Sequence, residues 1–281
     1  MRIAISHRTH YAYASPAKSV IQLLRLTPRN YDGQTVKRWR IDLNCDGALK
    51  AGEDPFGNLT HTLALSGPIS ELEVTVEGEV ETEDRHGVVR GTCERFPTGL
   101  YLRETPLTEA DAALKAFARD VTAEASKDRL EMLHCLLIGI YSAITFDTTP
   151  TSTATPAAEA FKLKRGVCQD LTHVFIACAR HLGVPARYVG GYMLRTDGVT
   201  QQEAGHAWAE AEVEGLGWVG FDPANGVCPT DAHVRVATGL DYLGAAPIRG
   251  TRYGGGMETL TVGVKVDQAG RPGQWQNQRQ D

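Results

Sequence analysis

No stretch of this chain is apolar for long enough to cross a bilayer, and its first residues, Met1-Arg2-Ile3-Ala4-Ile5-Ser6-His7-Arg8, lack the apolar core of a secretory signal. A cytoplasmic protein is therefore expected, with no membrane partner. Paired cysteines are missing as well. Cys45, Cys93, Cys135, Cys168, Cys178 and Cys228 are dispersed, with no CxxC and no repeated spacing. That argues against a structural zinc site and, in a reducing compartment, against disulfides. Nor is there an excess of positive charge: the formal net charge is −5 and the pI is near 6.0. A basic stripe that would hold nucleic acid is absent. No acidic loop has calcium-ligand spacing. Neither a metal nor a cofactor is expected, and the sequence carries no signal of oligomeric state.

The 281 residues have ordinary globular composition, enough for one large domain or two smaller ones. Residues 1–85 read as strands between turn signals such as Tyr31-Asp32-Gly33 and Asp54-Pro55-Phe56-Gly57-Asn58. Leu72, Val74, Val76, Gly78 and Val80 alternate with acidic and polar residues, the pattern of a half-buried strand. A small all-β sheet or sandwich domain is expected there, with His7, His10 and His61 at its surface or hydrogen-bonded. Residues 86–107 read as a linker. A catalytic α+β domain is expected over 108–267, with a polar tail over 268–281. Thr108 is the expected cap of a first helix, and Asp128 with Glu131 opens a strongly apolar second one.

Within this second region, Arg165-Gly166-Val167-Cys168-Gln169-Asp170 reads as a loop that delivers a cysteine to the first turn of a helix. Leu171, Val174, Phe175, Cys178 and Leu182 recur at helical spacing, which predicts one buried face, and Gly183 marks the stop. His173 and His181 are expected at the surface. The positive end of a helix favours a thiolate. Gln169 and Asp170 fit either a substrate contact or a helix cap. Farther on, His206, Trp208, Glu210 and Glu212 share one face of an alternating strand. A turn at Glu214-Gly215-Leu216-Gly217 leads back through Trp218-Val219-Gly220-Phe221 to Asp222-Pro223. Cys168, His206 and Asp222 thus offer a nucleophile, a base and an orienting acid for attack on a carbonyl carbon. The Cys168 N–H could donate to the resulting oxyanion. One geometric condition follows. His206 and Asp222 share a face only if paired positions in the hairpin have an even total, which a four-residue loop between Val213 and Trp218 would violate. A three- or five-residue loop, or a bulge, is predicted. Gln169, Tyr192 and Trp208 are candidates for the cleft wall or for a place behind the triad, with core packing the default for Tyr192 and open for Trp208.

Gly166-Val167-Cys168, His206-Ala207-Trp208 and Asp222-Pro223 resemble the Cys, His-x-Trp and Asp motifs of the transglutaminase core. Tyr11-x-Tyr13, Leu24-Arg25-Leu26-Thr27-Pro28-Arg29, Asp54 to Asn58, and Asp241-Tyr242 through Gly254-Gly255-Gly256 extend the resemblance to bacterial transglutaminase-like proteins, often described as cysteine proteases. The resemblance implies a papain-like α+β core, a helix-borne Cys packed on an antiparallel sheet, and acyl chemistry on peptide or glutamine-type amides. Transglutaminases proper often carry Trp after the nucleophile, where this chain has Gln169. The competing expectation is a non-catalytic interaction module that keeps the fold.

Overall fold

In the computed structural model, which describes residues 1–125 and 128–270, fourteen strands and five helices follow one another. First come β1 (Arg2–Thr27), β2 (Gln34–Leu43), β3 (Leu49–Glu53) and β4 (Leu59–Thr82). Then follow β5 (Val88–Val89), a 3-10 turn (Thr98–Leu102), α1 (Ala112–Val121), α2 (Arg129–Ala143), β6 (Thr145–Phe146), α3 (Ala157–Leu163), β7 (Arg165–Gly166) and α4 (Cys168–His181). The chain ends with β8 (Ala186–Met193), β9 (Gln201–Gln202), β10 (His206–Val213), β11 (Gly217–Phe221), β12 (His233–Gly239), α5 (Tyr242–Ala245), β13 (Ile248–Gly254) and β14 (Glu258–Gln268). Of the expected polar tail, 271–281 lie outside the described residues.

The N-terminal region is one sheet built on two very long strands, where the sequence suggests several short ones. β1 and β4 run antiparallel, flanked by β2 and β14 along one half and by β3 and β13 along the other. Register shifts between Ala12 and Ala17, and between Ala17 and Ser19, let β1 bend without ending. Pro16, which cannot donate to a ladder, sits in that interruption. Two of the strands come from the far end of the chain, so the boundary between 1–85 and 108–267 divides the sequence and not the sheet. On β14, Val264 and Val266 are buried, whereas Leu260 is 53% exposed.

A second sheet, all antiparallel, has the order β12-β8-β10-β11-β5. Helix α4 packs against β8 and β10 on one side and against α1, α2 and α3 on the other. Residues Gln169 to Arg180 are consequently all buried, more than the single apolar face predicted. His173 is therefore not at the surface: it is fully buried, and its Nε2 accepts the Tyr242 N–H at 3.0 Å. Asp111, not Thr108, caps α1 by accepting from the Leu114 N–H, while Asp128 caps α2 as read. Residues 86–107 are integral to the packing. β5 pairs with β11, Tyr101 is buried edge-on against Trp218, and the Tyr101 carbonyl accepts from Arg180.

One apolar cluster spans both regions, joining Ile3, Ile5, Val80, Val264 and Val266 to Leu171, Val174, Phe175 and Phe221. Two buried side-chain amides add a directional tie. Gln34 donates to the Arg235 carbonyl and accepts the Arg235 N–H, both at 2.8 Å. Asn58 does the same to Thr238, also at 2.8 Å in both directions. Each amide takes the place of a neighbouring strand on the outer edge of β12.

Candidate active site

Local sequence fixes the cysteine. Val167 occupies the N-cap position of α4 and has no side-chain acceptor, so the N–H groups of the first turn gain no cap from it. The Asp170 carboxylate turns back instead, accepting from the Val167 N–H at 2.8 Å and the Thr151 hydroxyl at 2.7 Å. It caps the approach to the helix. Gly166 makes this possible, because a Cβ there would meet the Asp170 carboxylate at 2.7 Å. Gln169 is buried and its amide donates to the Thr153 carbonyl at 3.3 Å, tying α4 to the Thr/Pro loop. Cys168, ahead of both, keeps partial exposure.

The hairpin meets its geometric condition. Val213 pairs with Gly217 and Ala209 with Phe221, an even register closed by a three-residue loop. His206 and Asp222 then share a face, and His206 Nε2 lies 2.6 Å from Asp222 Oδ2. Cys168 is among the groups that act on the same imidazole. With Nε2 engaged by Asp222, Nδ1 is the nitrogen left for the sulfur. Burial alone would push the imidazole down, but the Asp222 charge and hydrogen bond, together with Cys168, hold it well above its ordinary value. Burial would raise the Asp222 carboxyl, yet His206 and His233 hold it far below the usual range.

Asp222 is completely buried and gathers more donors than the sequence suggested. Asn225 Nδ2 donates to Oδ2 at 2.7 Å, and the backbone N–H groups of Ala224 and Asn225 reach Oδ1 at 3.1 and 3.3 Å. His233 Nε2, from β12, lies 3.2 Å from Oδ2. The ligand atoms of His206, Asp222 and His233 all fall within 4.8 Å of one another, so these are also the described residues spaced to hold a metal ion. Asn225 was within reach of sequence reasoning, three residues beyond Asp222 in a tight Asp-Pro turn. No periodicity singles out His233.

Trp208 stands behind His206 and His233. It is buried, stacked beside His206 at 6.1 Å between ring centroids and edge-on to His233 at 5.3 Å. Gly191, opposite His206, leaves room for it, since a Cβ there would lie 2.8 Å from the Trp208 ring. Tyr192 is not brought to the cleft. Because Gly191 takes the His206 side of β8, alternation sends Tyr192 the other way, where its hydroxyl meets His7 Nδ1 at 2.9 Å. His7 is accordingly buried in the contact between the two sheets.

Farther along the same face, Glu210 is fully buried between Arg187 and Arg235, with 2.7 Å contacts to each, and Glu94 closes on Arg187 at 2.7 Å. An apolar groove of about 500 Å³ runs between α2 and β11, lined by Leu130, His134, Leu216, Val219 and Cys228. Its lining includes none of Cys168, His206 or Asp222.

Residues 3–81 match the model of the bacterial transglutaminase-like N-terminal region, and residues 115–223 match the core of the transglutaminase-like superfamily. Uncharacterized protein ML0607 of Mycobacterium leprae is 29% identical, spanning 94% of this chain and 98% of its own. Uncharacterized protein Rv2569c of Mycobacterium tuberculosis is 27% identical over 95% of this chain and 92% of its own. Among solved structures, "a Putative Cysteine Protease from Cytophaga hutchinsonii" superposes with a TM-score of 0.78 at 20% identity, covering 96% of this chain and 91% of that one. That likeness establishes a common fold, α+β with a papain-like core.

Proposed function

The chain belongs to the bacterial transglutaminase-like proteins, and on that premise we propose that it is a cysteine hydrolase or acyltransferase of peptide or glutamine-type amides. The observation that carries this reading is the His206 imidazole paired with the Asp222 carboxylate at 2.6 Å, with Cys168 at the head of α4 acting on the same ring. Cys168 gives its proton to His206 and attacks the amide carbon. The carbonyl oxygen, now negative, faces the uncapped N–H groups of the first turn of α4. His206 returns the proton to the leaving nitrogen as the C–N bond breaks, leaving a thioester on Cys168. Water then attacks, His206 takes its proton, and the acid departs as Cys168 recovers its thiol. An amine in place of water would give transfer. Hydrolysis is the simpler outcome, since water requires no acceptor site. Asp222 orients the ring and steadies its cationic form.

Mass spectrometry of glutamine-containing peptides mixed with a primary amine, incubated with wild type and with Cys168→Ala, tests this reading. Cleavage, deamidation or amine incorporation is expected with wild type alone. Identical products from both proteins would refute the mechanism.

A further inference from the structure

We propose that His233 is a fourth member of this site, a positioning residue that acts through Asp222; the inference rests on the triad reading above. The backbone N–H of Thr230 points at His233 Nδ1 from 3.1 Å. A backbone amide can only donate, so Nδ1 presents its lone pair and the proton of the neutral ring sits on Nε2. That Nε2–H faces Asp222 Oδ2 at 3.2 Å. The carboxylate oxygen that holds His206 is thereby held in turn by His233 and by Asn225 Nδ2.

Several features keep this donor in place. The ring is 6% exposed, and Trp208 lies edge-on to it. Its strand, β12, is gripped from outside by the Gln34 and Asn58 amides. The charged groups nearest it are His206 and Asp222 in front; across a small cavity behind lie Glu210 and Arg235, paired with each other, and Asp32, Glu83 and Arg85. As a neutral donor, His233 lends Asp222 a hydrogen bond without drawing on the charge that steadies His206. The same tautomer argues against a metal in the cluster. A metal would need the Nε2 lone pair of His233, which requires the ring proton to move to Nδ1, where the Thr230 N–H already points.

The full-length wild type, His233→Ala, His233→Gln and His206→Ala are compared by the rate of alkylation of Cys168 with iodoacetamide across pH, read by peptide mass spectrometry. Thermal midpoints of all four and imidazole ¹⁵N shifts of the wild type accompany it. The expected ¹⁵N pattern places the His233 proton on Nε2. His233→Ala should leave the Asp222 carboxylate, and with it the His206 ring, less firmly placed, slowing alkylation at neutral pH about tenfold, and the Gln amide should restore it to within about threefold. A His233 proton on Nδ1, tight zinc binding that shifts the His233 signals, or a Gln variant that is folded yet as slow as Ala would each overturn the proposal. So would wild-type profiles in both His233 variants. If His206→Ala alkylates as fast as wild type, the triad reading itself falls. If His206→Ala is slow and both His233 variants match wild type, only the fourth member falls.

Discussion

The two faces of β10 solve different problems. Toward α4 it presents Ala207, Ala209, Ala211 and Val213, all buried and all small, and these let the helix lie close on the sheet. Toward the other side it presents His206, Trp208, Glu210 and Glu212. There each polar group has a dedicated partner: Asp222 for His206, Arg187 and Arg235 for Glu210, and Arg129 for Glu212. The small face sets distance and so delivers Cys168. The polar face sets charge and so places His206 against Asp222. The site lies where the two meet, at the first residue of the strand. A packed apolar face tolerates approximate replacement of like size, whereas a buried charge tolerates none that leaves its partner alone.

The contrast can be broken most severely at its junction. His206→Ala removes the proposed base and takes from the buried Asp222 its charged partner, so the rate of Cys168-dependent turnover should fall on the order of 10⁴-fold and the thermal midpoint should fall with it. Farther along the polar face, Glu210→Gln leaves Arg187 and Arg235 without their shared anion and should cost about 3–5 kcal/mol in urea unfolding.

Two histidines on opposite sides of the sheet sharpen the comparison through pH. Burial, with Arg180 nearby, pushes His173 on α4 down to about 3, whereas Asp222 outweighs burial to raise His206. The stability contributed by His173 is full above its unfolded value of 6.5 and is lost as pH falls from there toward its folded value. That of His206 is full below 6.5 and is lost as pH rises through its raised value, while the Asp222 contribution is lost only on acidification well below 3.8. Unfolding free energy should therefore peak near neutrality, and the acid limb should flatten in His173→Asn, measured by urea titrations at a series of pH values.

Smaller effects test the apolar face and the rim. Ala209→Leu should overpack the contact with α4 and cost about 1–3 kcal/mol, with a slower Cys168 because α4 shifts. Arg129→Ala breaks the partly exposed pair with Glu212 and should cost less than about 1 kcal/mol, which salt should erase. Equal losses from Glu210→Gln and Arg129→Ala would dissolve the distinction between buried and rim charge.

What the sequence makes legible here is local. The cap-to-helix delivery of Cys168 and the parity of the hairpin depend on neighbours within a few residues, and alternation assigns His206, Trp208 and Glu210 to one face. His233 escapes because it joins the site only after β12 has crossed to pair with β8, a placement no local pattern encodes. His173, expected at the surface, is buried for the same reason: its burial is imposed by elements distant in sequence, as is the contact that joins His7 to Tyr192. In the N-terminal sheet, the break around Pro16 is absorbed as a bulge within one strand, and half of the flanking strands come from the last thirty-odd positions.

That last arrangement orders events during synthesis. β1 leaves the ribosome ahead of its partners β13 and β14, which are made about 240 residues later, on the order of tens of seconds at ordinary elongation rates. Throughout that interval one long edge of β1, Ile3 to Leu24, has no strand of its own chain to pair with. A nascent chain of this design spends its most vulnerable period half-sheeted, and a premature stop before residue 248 leaves that edge open permanently. Truncated products of this protein should therefore be found with chaperones or in aggregates, and full-length chains should become soluble late and all at once.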